Sequence, residues 1–384
     1  MYKLNKPDMN KEVRERVFLR TFGCQMNVRD SELIQGILQK SGYTVCENDQ
    51  NADIIIFNTC SVRKQAEDRV WSLIGSYKGS KIIGLVGCMA QNYKEKAFLR
   101  DEDVSFVVGP QDIHKLPEIL AKIQPKGLLE RKIWEVDNPN RPEEIYHTGF
   151  YQDPSHAYVV ISEGCSNFCS YCVVPYVRGP LRHRRKEEIL KEIKAAISQG
   201  ITSFTLLGQN VNSYLDDGLN FTELLKEVNA LKGLKKLGFF TSHPKDAGIA
   251  TFKAIRDLEK LDKTLHLPLQ SGSDRVLKLM NRGYNSKEYV ALIENYRKLV
   301  KDGSLTTDII VGFPTETDKE FKETCDLINK IGFNAAYIFK YSPRPQTEAA
   351  KMVDSVERQE KEKRHKYVLD LQRKISNKLK KENK

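Results

Sequence analysis

The chain reads as an α/β protein with an amino-terminal parallel-sheet domain followed by a partial (β/α)6 barrel, and three observations predict it. At 384 residues it exceeds what one core usually organises and suits two domains. Short apolar runs alternate with amphipathic stretches along most of the chain, the pattern of a parallel sheet crossed by helices. In the first part, three successive apolar runs each end on a cysteine, Cys24, Cys60 and Cys88.

The elements follow in order. Residues 17–24 (VFLRTFGC) predict a strand, and RDSELIQGILQKSG places apolar residues at helical spacing before Gly42. Residues 52–60 (ADIIIFNTC) predict a buried strand, followed by helix-like SVRKQAEDRVWSLIGSYK; residues 81–88 (KIIGLVGC) and 104–109 (VSFVVG) add two more strands. Parallel strands share a direction, so Cys24, Cys60 and Cys88 are expected along one sheet edge, where open α/β folds bind ligands. The competing reading is three buried structural thiols, because cysteine is often buried. The first domain is expected over 1–124. Residues 125–155 carry Pro, Asn and charge with little periodicity and read as a linker. From 156 to 350, strands near 157–163, 202–207, 235–240, 263–267, 305–311 and 334–339 alternate with helices. Six such units make a partial barrel, short of the eight that close one. Residues 351–384 read as a basic helical tail.

The formal net charge of +11 suits a polyanionic partner, since Lys and Arg that neutralise phosphates release counterions. Basic residues gather in RGPLRHRRK (178–186) and in the tail. No apolar run approaches the roughly 20 residues of a membrane span, and the opening MYKLNKPDMNKEVRERVF lacks a signal-peptide core. With eight cysteines in such a chain, a cytoplasmic, reducing location is expected, where thiols bind metals or react. GSYKGSK lacks the spacing of a phosphate loop, and no H-E-x-x-H zinc motif occurs.

The densest chemistry lies in EGCSNFCSYCVVPY (163–176), where Cys165, Cys169 and Cys172 stand at C-x3-C-x2-C spacing after the first barrel strand. Structural zinc takes four protein ligands, and a local fourth is missing unless His183, within a basic run, supplies it. A 4Fe–4S cluster held by three cysteines keeps one iron open to an exogenous ligand. The motif, with Tyr171 before the last cysteine, resembles that of the radical S-adenosylmethionine (SAM) enzymes. The resemblance implies that SAM chelates the open iron and is cleaved to a 5′-deoxyadenosyl radical. Cys165, Cys169 and Cys172 would then be both catalytic and metal-binding.

Further segments narrow the family. TFGCQMNVRDSE, FNTCSVRKQAEDR and GLVGCMAQ resemble the cysteine-bearing segments of the methylthiotransferase amino-terminal domain. LLGQNVNSY, TSHPKD, HLPLQSGSDRVLKLMNRGY, DIIVGFPTET and YSPRP resemble barrel segments of the same family. GCQMN is similar to the MiaB branch, which acts on isopentenyladenosine beside the tRNA anticodon. The resemblance implies two 4Fe–4S clusters, the second on Cys24, Cys60 and Cys88 and carrying the sulfur. It implies SAM as both radical source and methyl donor, a low-potential electron donor, tRNA as partner, and two sites facing each other across the base. The chain is expected to act as a monomer.

Gln209, Ser242, Gln270 and Ser271, at strand ends, join Tyr171 as candidate SAM contacts. Asp308 is expected to face the substrate from its strand, Arg178 and Arg182 to meet a phosphate or carboxylate, and Arg344 to meet tRNA. Gly312 and Pro314 shape a turn. Cys46 and Cys325 fall outside both triplets. Family members typically continue into a small all-β TRAM domain that binds RNA; no such segment is expected within these 384 residues. Rival readings are a methylthiotransferase for threonylcarbamoyladenosine or a ribosomal-protein aspartate, and a non-catalytic metal-binding RNA-binding protein.

Overall fold

Apolar runs and cysteine-ended strands sort the chain into two units, Met1–Gln152 and Asp153–Lys384. The computed structural model describes residues 15–61, 64–77, 79–123 and 132–382. The opening segment 1–14 and residues 124–131 of the expected linker lie outside the described residues.

The first unit is one sheet of β1 (Arg16–Thr21), β2 (Thr44–Val45), β3 (Ile54–Thr59), β4 (Ile82–Gly87), β5 (Val104–Val108) and β6 (Ile133–Glu135). They stand in the order β2-β1-β3-β4-β5-β6, with every pairing parallel. Central β3 is buried at every position, as expected of a parallel strand covered on both faces. The helix Gln25–Lys40 stops where Ser41 and Tyr43 return their N–H groups to Ile37 and Leu38, with Gly42 at φ 87°.

The segment expected as a linker contributes to this unit. Ile133–Glu135 extends the sheet beside β5. Beyond it, Gln91 donates to the Val136 carbonyl at 2.8 Å, and Arg141 reaches the Pro110 carbonyl and pairs with Asp30 at 2.8 Å. Side-chain to backbone bonds hold a stretch whose one strand among the described residues is three residues long, so no periodicity announces it.

The second unit holds β7 (His156–Val160), β8 (Ser162–Glu163), β9 (Arg182–His183), β10 (Ser203–Leu207), β11 (Leu215–Asp216), β12 (Leu219–Asn220), β13 (Lys236–Phe239), β14 (Thr264–His266), β15 (Ser304–Val311) and β16 (Ala335–Lys340). β8–β9 and β11–β12 are small antiparallel hairpins. The other six form two parallel three-stranded sheets, β7-β10-β13 and β14-β15-β16. A parallel bridge from Leu237 to Leu261 joins them, with Leu237 bonded to Lys260 and Asp262 on either side. The result is a six-stranded partial barrel.

On β15, Leu305, Thr307, Ile309 and Val311 are buried, whereas Thr306, Asp308 and Ile310 alternate on the less covered face. Helices take the buried side, several opened by reciprocal capping boxes: Asn220 with Glu223, Asn285 with Glu288, Thr317 with Glu320. The basic tail is the helix Arg358–Glu382, and it is docked. Its His365 contacts the Ile338 carbonyl on β16 at 3.0 Å, Gln372 donates to Phe333 at 2.8 Å, and Arg364 pairs with Glu316 at 2.9 Å. Among the described residues no helix is long and apolar enough to cross a membrane.

Candidate active site: two cysteine triplets

In the first unit the three cysteines follow neighbouring strands. Thr59 pairs with Gly87 in the sheet register, so Cys60 and Cys88 leave it side by side. Cys24 caps the helix Gln25–Lys40 three residues beyond β1. Gly23 and Gly87 allow the close turns. Gly23 has φ 129°, and a Cβ there would fall 2.5 Å from Cys60 Cβ; Gly87, at φ 90°, turns the chain into Cys88.

A buried amide pair fixes the first two cysteines relative to each other. Asn27 donates to Asn58 Oδ1 at 3.1 Å and to the Thr59 carbonyl at 3.0 Å, while its own Oδ1 faces Cys24 Sγ at 3.4 Å. Asn58 returns bonds to the Asn27 carbonyl and Ser31 Oγ, both at 2.8 Å. Both amides are 0% exposed. Ser61 Oγ reaches the Cys88 carbonyl at 3.4 Å, extending the ties to the third cysteine. These positioning residues stand inside the motif segments, but their polarity within an apolar run was the only sign of the role.

In the second unit the loop carrying Cys165, Cys169 and Cys172 follows β8 at the carboxyl end of the barrel. Cys165 N–H bonds the Gly179 carbonyl at 3.1 Å, and Ser170 N–H bonds the Met280 carbonyl at 3.0 Å. Asn281 donates to the Asn167 and Phe168 carbonyls at 3.2 and 3.0 Å. Gln209 accepts from Gly164 N–H at 2.6 Å, so its side-chain oxygen holds the loop.

Arg282 is the feature that sequence reading missed. It is 4% exposed, and it donates to Cys169 Sγ at 3.4 Å, Tyr171 Oη at 3.2 Å, Tyr284 Oη at 3.0 Å and the Pro268 carbonyl at 2.9 Å. His243 Nε2 lies 4.0 Å from the same sulfur, and its Nδ1 accepts from Lys245 N–H, which assigns the Nε2–H tautomer. Burial, then the Arg282 and Lys245 charges, push the His243 pKa down to about 2, so the ring is neutral. Burial raises the Cys165 thiol, and burial with neighbouring Cys169 pushes Cys172 up to about 12. Thiols this reluctant to ionise alone need a cation to hold them as thiolates.

The remaining candidates divide. Ser242 Oγ and Gln270 Oε1 are buried with no hydrogen-bond partner among the described residues, beyond the carboxyl ends of β13 and β14. Ser271 Oγ is engaged by Thr324 and Ser273. Arg178, 2% exposed, and Arg182 both face Glu163 at 3.7 Å and bind the hairpin, a role that the phosphate expectation left out. Arg344 is buried. Asp308 lies on the less covered face of β15 with His266 Nε2 at 3.3 Å. Cys46 and Cys325 are free thiols elsewhere. Phe168, Thr241, Gln270 and Thr315 all have positive φ beyond the carboxyl ends of barrel strands, a concentration of strain typical of functional sites.

The donor set fits the expected groups. Each triplet offers three cysteine sulfurs, and the Ser242 and Gln270 oxygens, without a hydrogen-bond partner among the described residues, suit a polar ligand beside the second. A partial β/α barrel with a three-cysteine loop after its first strand defines the radical SAM class. The Radical SAM superfamily model matches residues 159–328, and the Uncharacterized protein family UPF0004 model matches residues 16–109.

Three bacterial relatives carry the name tRNA-2-methylthio-N(6)-dimethylallyladenosine synthase. That of Syntrophus aciditrophicus is 42% identical over 88% of this chain and 75% of its own length. That of Clostridium botulinum (strain Hall) is 42% identical over 97% and 84%. That of Caldicellulosiruptor saccharolyticus is 43% identical over 93% and 77%. The chain belongs to this family of radical SAM methylthiotransferases.

Solved structures share the fold. The radical SAM methyltransferase TsrM from Kitasatospora setae is similar at TM-score 0.61 and 13% identity, over 88% of this chain and 75% of that one. The cobalamin-dependent radical enzyme OxsB is similar at TM-score 0.55 and 15% identity, with this chain spanning 56% of its length.

Proposed function

We infer that the protein methylthiolates C2 of N6-isopentenyladenosine next to the tRNA anticodon, with SAM as both radical source and methyl donor. The observation that carries this reading is the 42% identity to synthases of that reaction over 75% or more of their length, with both cysteine triplets at strand ends. When bound, the 4Fe–4S cluster on Cys165, Cys169 and Cys172 supplies the electron that cleaves SAM, and that on Cys24, Cys60 and Cys88 supplies sulfur.

The chain's own residues hold and shield these groups. Arg282 and His243 fix the Cys169 sulfur and present N–H donors to it. Gln209 fixes the turn at Gly164, one residue before Cys165. Ser242 Oγ and Gln270 Oε1 offer unsatisfied oxygens to the polar groups of SAM. Asp308 offers a carboxylate to the substrate from the concave face of the barrel. Holding reactants in one geometry accounts for several orders of magnitude in rate. The enzyme works as a cytoplasmic monomer with a low-potential one-electron donor.

Nucleoside mass spectrometry of tRNA from a methylthio-deficient host expressing this chain tests the reading. Appearance of 2-methylthio-N6-isopentenyladenosine supports it, and persistence of N6-isopentenyladenosine with cluster-loaded protein overturns the substrate assignment. Cys60→Ala is expected to abolish methylthiolation yet leave SAM cleavage measurable, and Cys169→Ala to remove both. Normal methylthiolation by Cys60→Ala would sink the second cluster.

A further inference from the structure

The helix Arg358–Glu382 carries a charge pattern that its docking on the barrel does not use. Ten Lys and Arg stand in it against four Asp and Glu, so this one helix holds a net +6 of the chain's formal +11. Its buried positions, Lys361, Arg364, Val368, Gln372 and Ile375, recur at steps of three and four and mark the inward face. Two of the cations are engaged there: Lys361 pairs with Asp354, and Arg364 with Glu316 and Asp318.

At about 3.6 residues per turn, Lys363, Lys366, Arg373, Lys374, Lys380 and Lys381 fall on the side away from that face, and all are exposed. The acids of the helix are already met by cations: Glu360 by Arg364, Glu362 by Arg358, Asp370 by Arg373 and Glu382 by Lys378. Lys366, Lys374, Lys380 and Lys381 have no ion pair among the described residues. The helix dipole favours cations in the last turn, which accounts for Lys380 and Lys381 but not for Lys366, Arg373 and Lys374. Lys374 and Lys378 stand at i,i+4 and Lys378 and Lys381 at i,i+3, like charges that weaken a helix unless an anion lies across them.

The line of cations has a fixed place. Arg364 meets Glu316 beyond the carboxyl end of β15, whereas Gln372 and Ser376 donate to the Phe333 and Asn334 carbonyls, at 2.8 and 2.9 Å, just before β16. The helix thus runs antiparallel to β16, which pairs with β15 alone among the described residues. From Lys363 to Lys381 it extends about 27 Å, over which one strand of a duplex presents on the order of eight phosphates.

We propose that this outward face binds the phosphate backbone of the substrate tRNA beside the barrel edge at β16. The proposal rests on the tRNA reading above and names a surface for the polymer outside the reacting base. Lysine is a point charge on a flexible stem, suited to phosphates and depleted from the cores of protein–protein interfaces. A membrane-surface helix needs its apolar face turned outward, and here the barrel takes that face. Tyr367 is the one exposed large apolar side chain of the helix among the described residues.

Fluorescence anisotropy with labelled full-length tRNA carrying N6-isopentenyladenosine tests this on cluster-loaded protein, in salt from about 50 to 200 mM. One variant joins Lys366→Gln, Lys374→Gln, Lys380→Gln and Lys381→Gln, which keep helix propensity and touch no docking contact. A second joins Lys194→Gln, Lys226→Gln, Lys232→Gln and Lys253→Gln, exposed lysines between β9 and β14, and removes the same charge elsewhere. The first is expected to weaken binding about tenfold or more at low salt and to make log affinity against log salt shallower by about two or more. The second is expected to stay within about threefold of wild type, with a slope change below about one. Arginine at the same four tail positions is expected to bind within about twofold of wild type, because the charge is kept. A tRNA lacking the N6 group is expected to show the same loss, since phosphates carry no base information.

Binding by the first variant equal to wild type removes the surface, and equal loss in both glutamine variants reduces it to diffuse attraction by net charge. Failure of the arginine counterpart to recover binding overturns the charge argument. A loss confined to the modified tRNA overturns the phosphate assignment. Failure of wild type to bind either tRNA overturns the tRNA reading itself, a result distinct from every variant outcome.

Discussion

Replacing Arg282 with methionine keeps most of the volume of the side chain and removes its charge from beside Cys169. Three of its contacts go to oxygens, Tyr171 Oη, Tyr284 Oη and the Pro268 carbonyl. At about 1 kcal/mol net for each, their loss is expected to lower stability by on the order of 3 kcal/mol. The fourth contact bears on redox chemistry. A full negative charge on Cys169 Sγ at 3.4 Å from the guanidinium is worth about 5 kcal/mol at an effective dielectric near 20. If a quarter of the electron added on reduction resides on that sulfur, the charge favours the reduced cluster by about 1.2 kcal/mol, equivalent to about 50 mV in a one-electron couple. Redox titration of the reconstituted protein, followed by electron paramagnetic resonance, is the assay. Arg282→Met is expected to shift the midpoint of the three-cysteine barrel cluster to more negative potential, and Arg282→Lys to recover most of the shift. A methionine variant with full iron content and a wild-type midpoint would refute the electrostatic role.

Three further outcomes are expected. Asn27→Ala removes the donors to Asn58 Oδ1 and the Thr59 carbonyl, and is expected to cost about 2–4 kcal/mol in urea unfolding and to lower the iron content of the first triplet. Arg141→Met removes an ion pair to Asp30 whose side chains are both 1% exposed, and is expected to destabilise the first unit by roughly 3–5 kcal/mol in the same assay. The Glu320 pKa is pulled from 4.5 to about 2, chiefly by the hydrogen bond from Arg275. A depressed carboxylate stabilises the fold above its unfolded pKa and loses that contribution as pH falls through the folded value. Thermal melts of wild type are therefore expected to drop between pH 4.5 and 2 more steeply than those of Glu320→Gln.

Much of the scaffold was legible because the relevant physics is local. The apolar run before Cys60 could only be an interior strand, and β3 is buried throughout. The six barrel strands stand where period and spacing put them, and the shared direction of parallel strands brought Cys24, Cys60 and Cys88 to one edge. What escaped was set by tertiary pairing. Arg282 meets a sulfur 113 positions away, and nothing in MNRGY announces that encounter. Asn58 reads as a polar interruption of a strand until Asn27, 31 residues earlier, is seen to complete it. Arg178 and Arg182 read as candidates for a phosphate or a carboxylate ligand; that both also face Glu163, in a strand pair only two residues long, could not be read from spacing alone. The stretch after residue 131 was silent because its order comes from side chains bonding backbone, without a repeat.

The barrel strands run from β7 to β16 without a pairing between those two among the described residues. A closed ring of strands makes a well, which a polymer enters only by a free end or by flipping one unit down through the mouth. An unclosed ring makes a slot with an open flank. A nucleotide joined to neighbours on both sides can slide in along that flank, its two phosphodiester links trailing out, with no break in the strand and little unwinding of what lies beyond. A slot of that kind, unlike a well, is compatible with a residue in the middle of a chain presented by a bend.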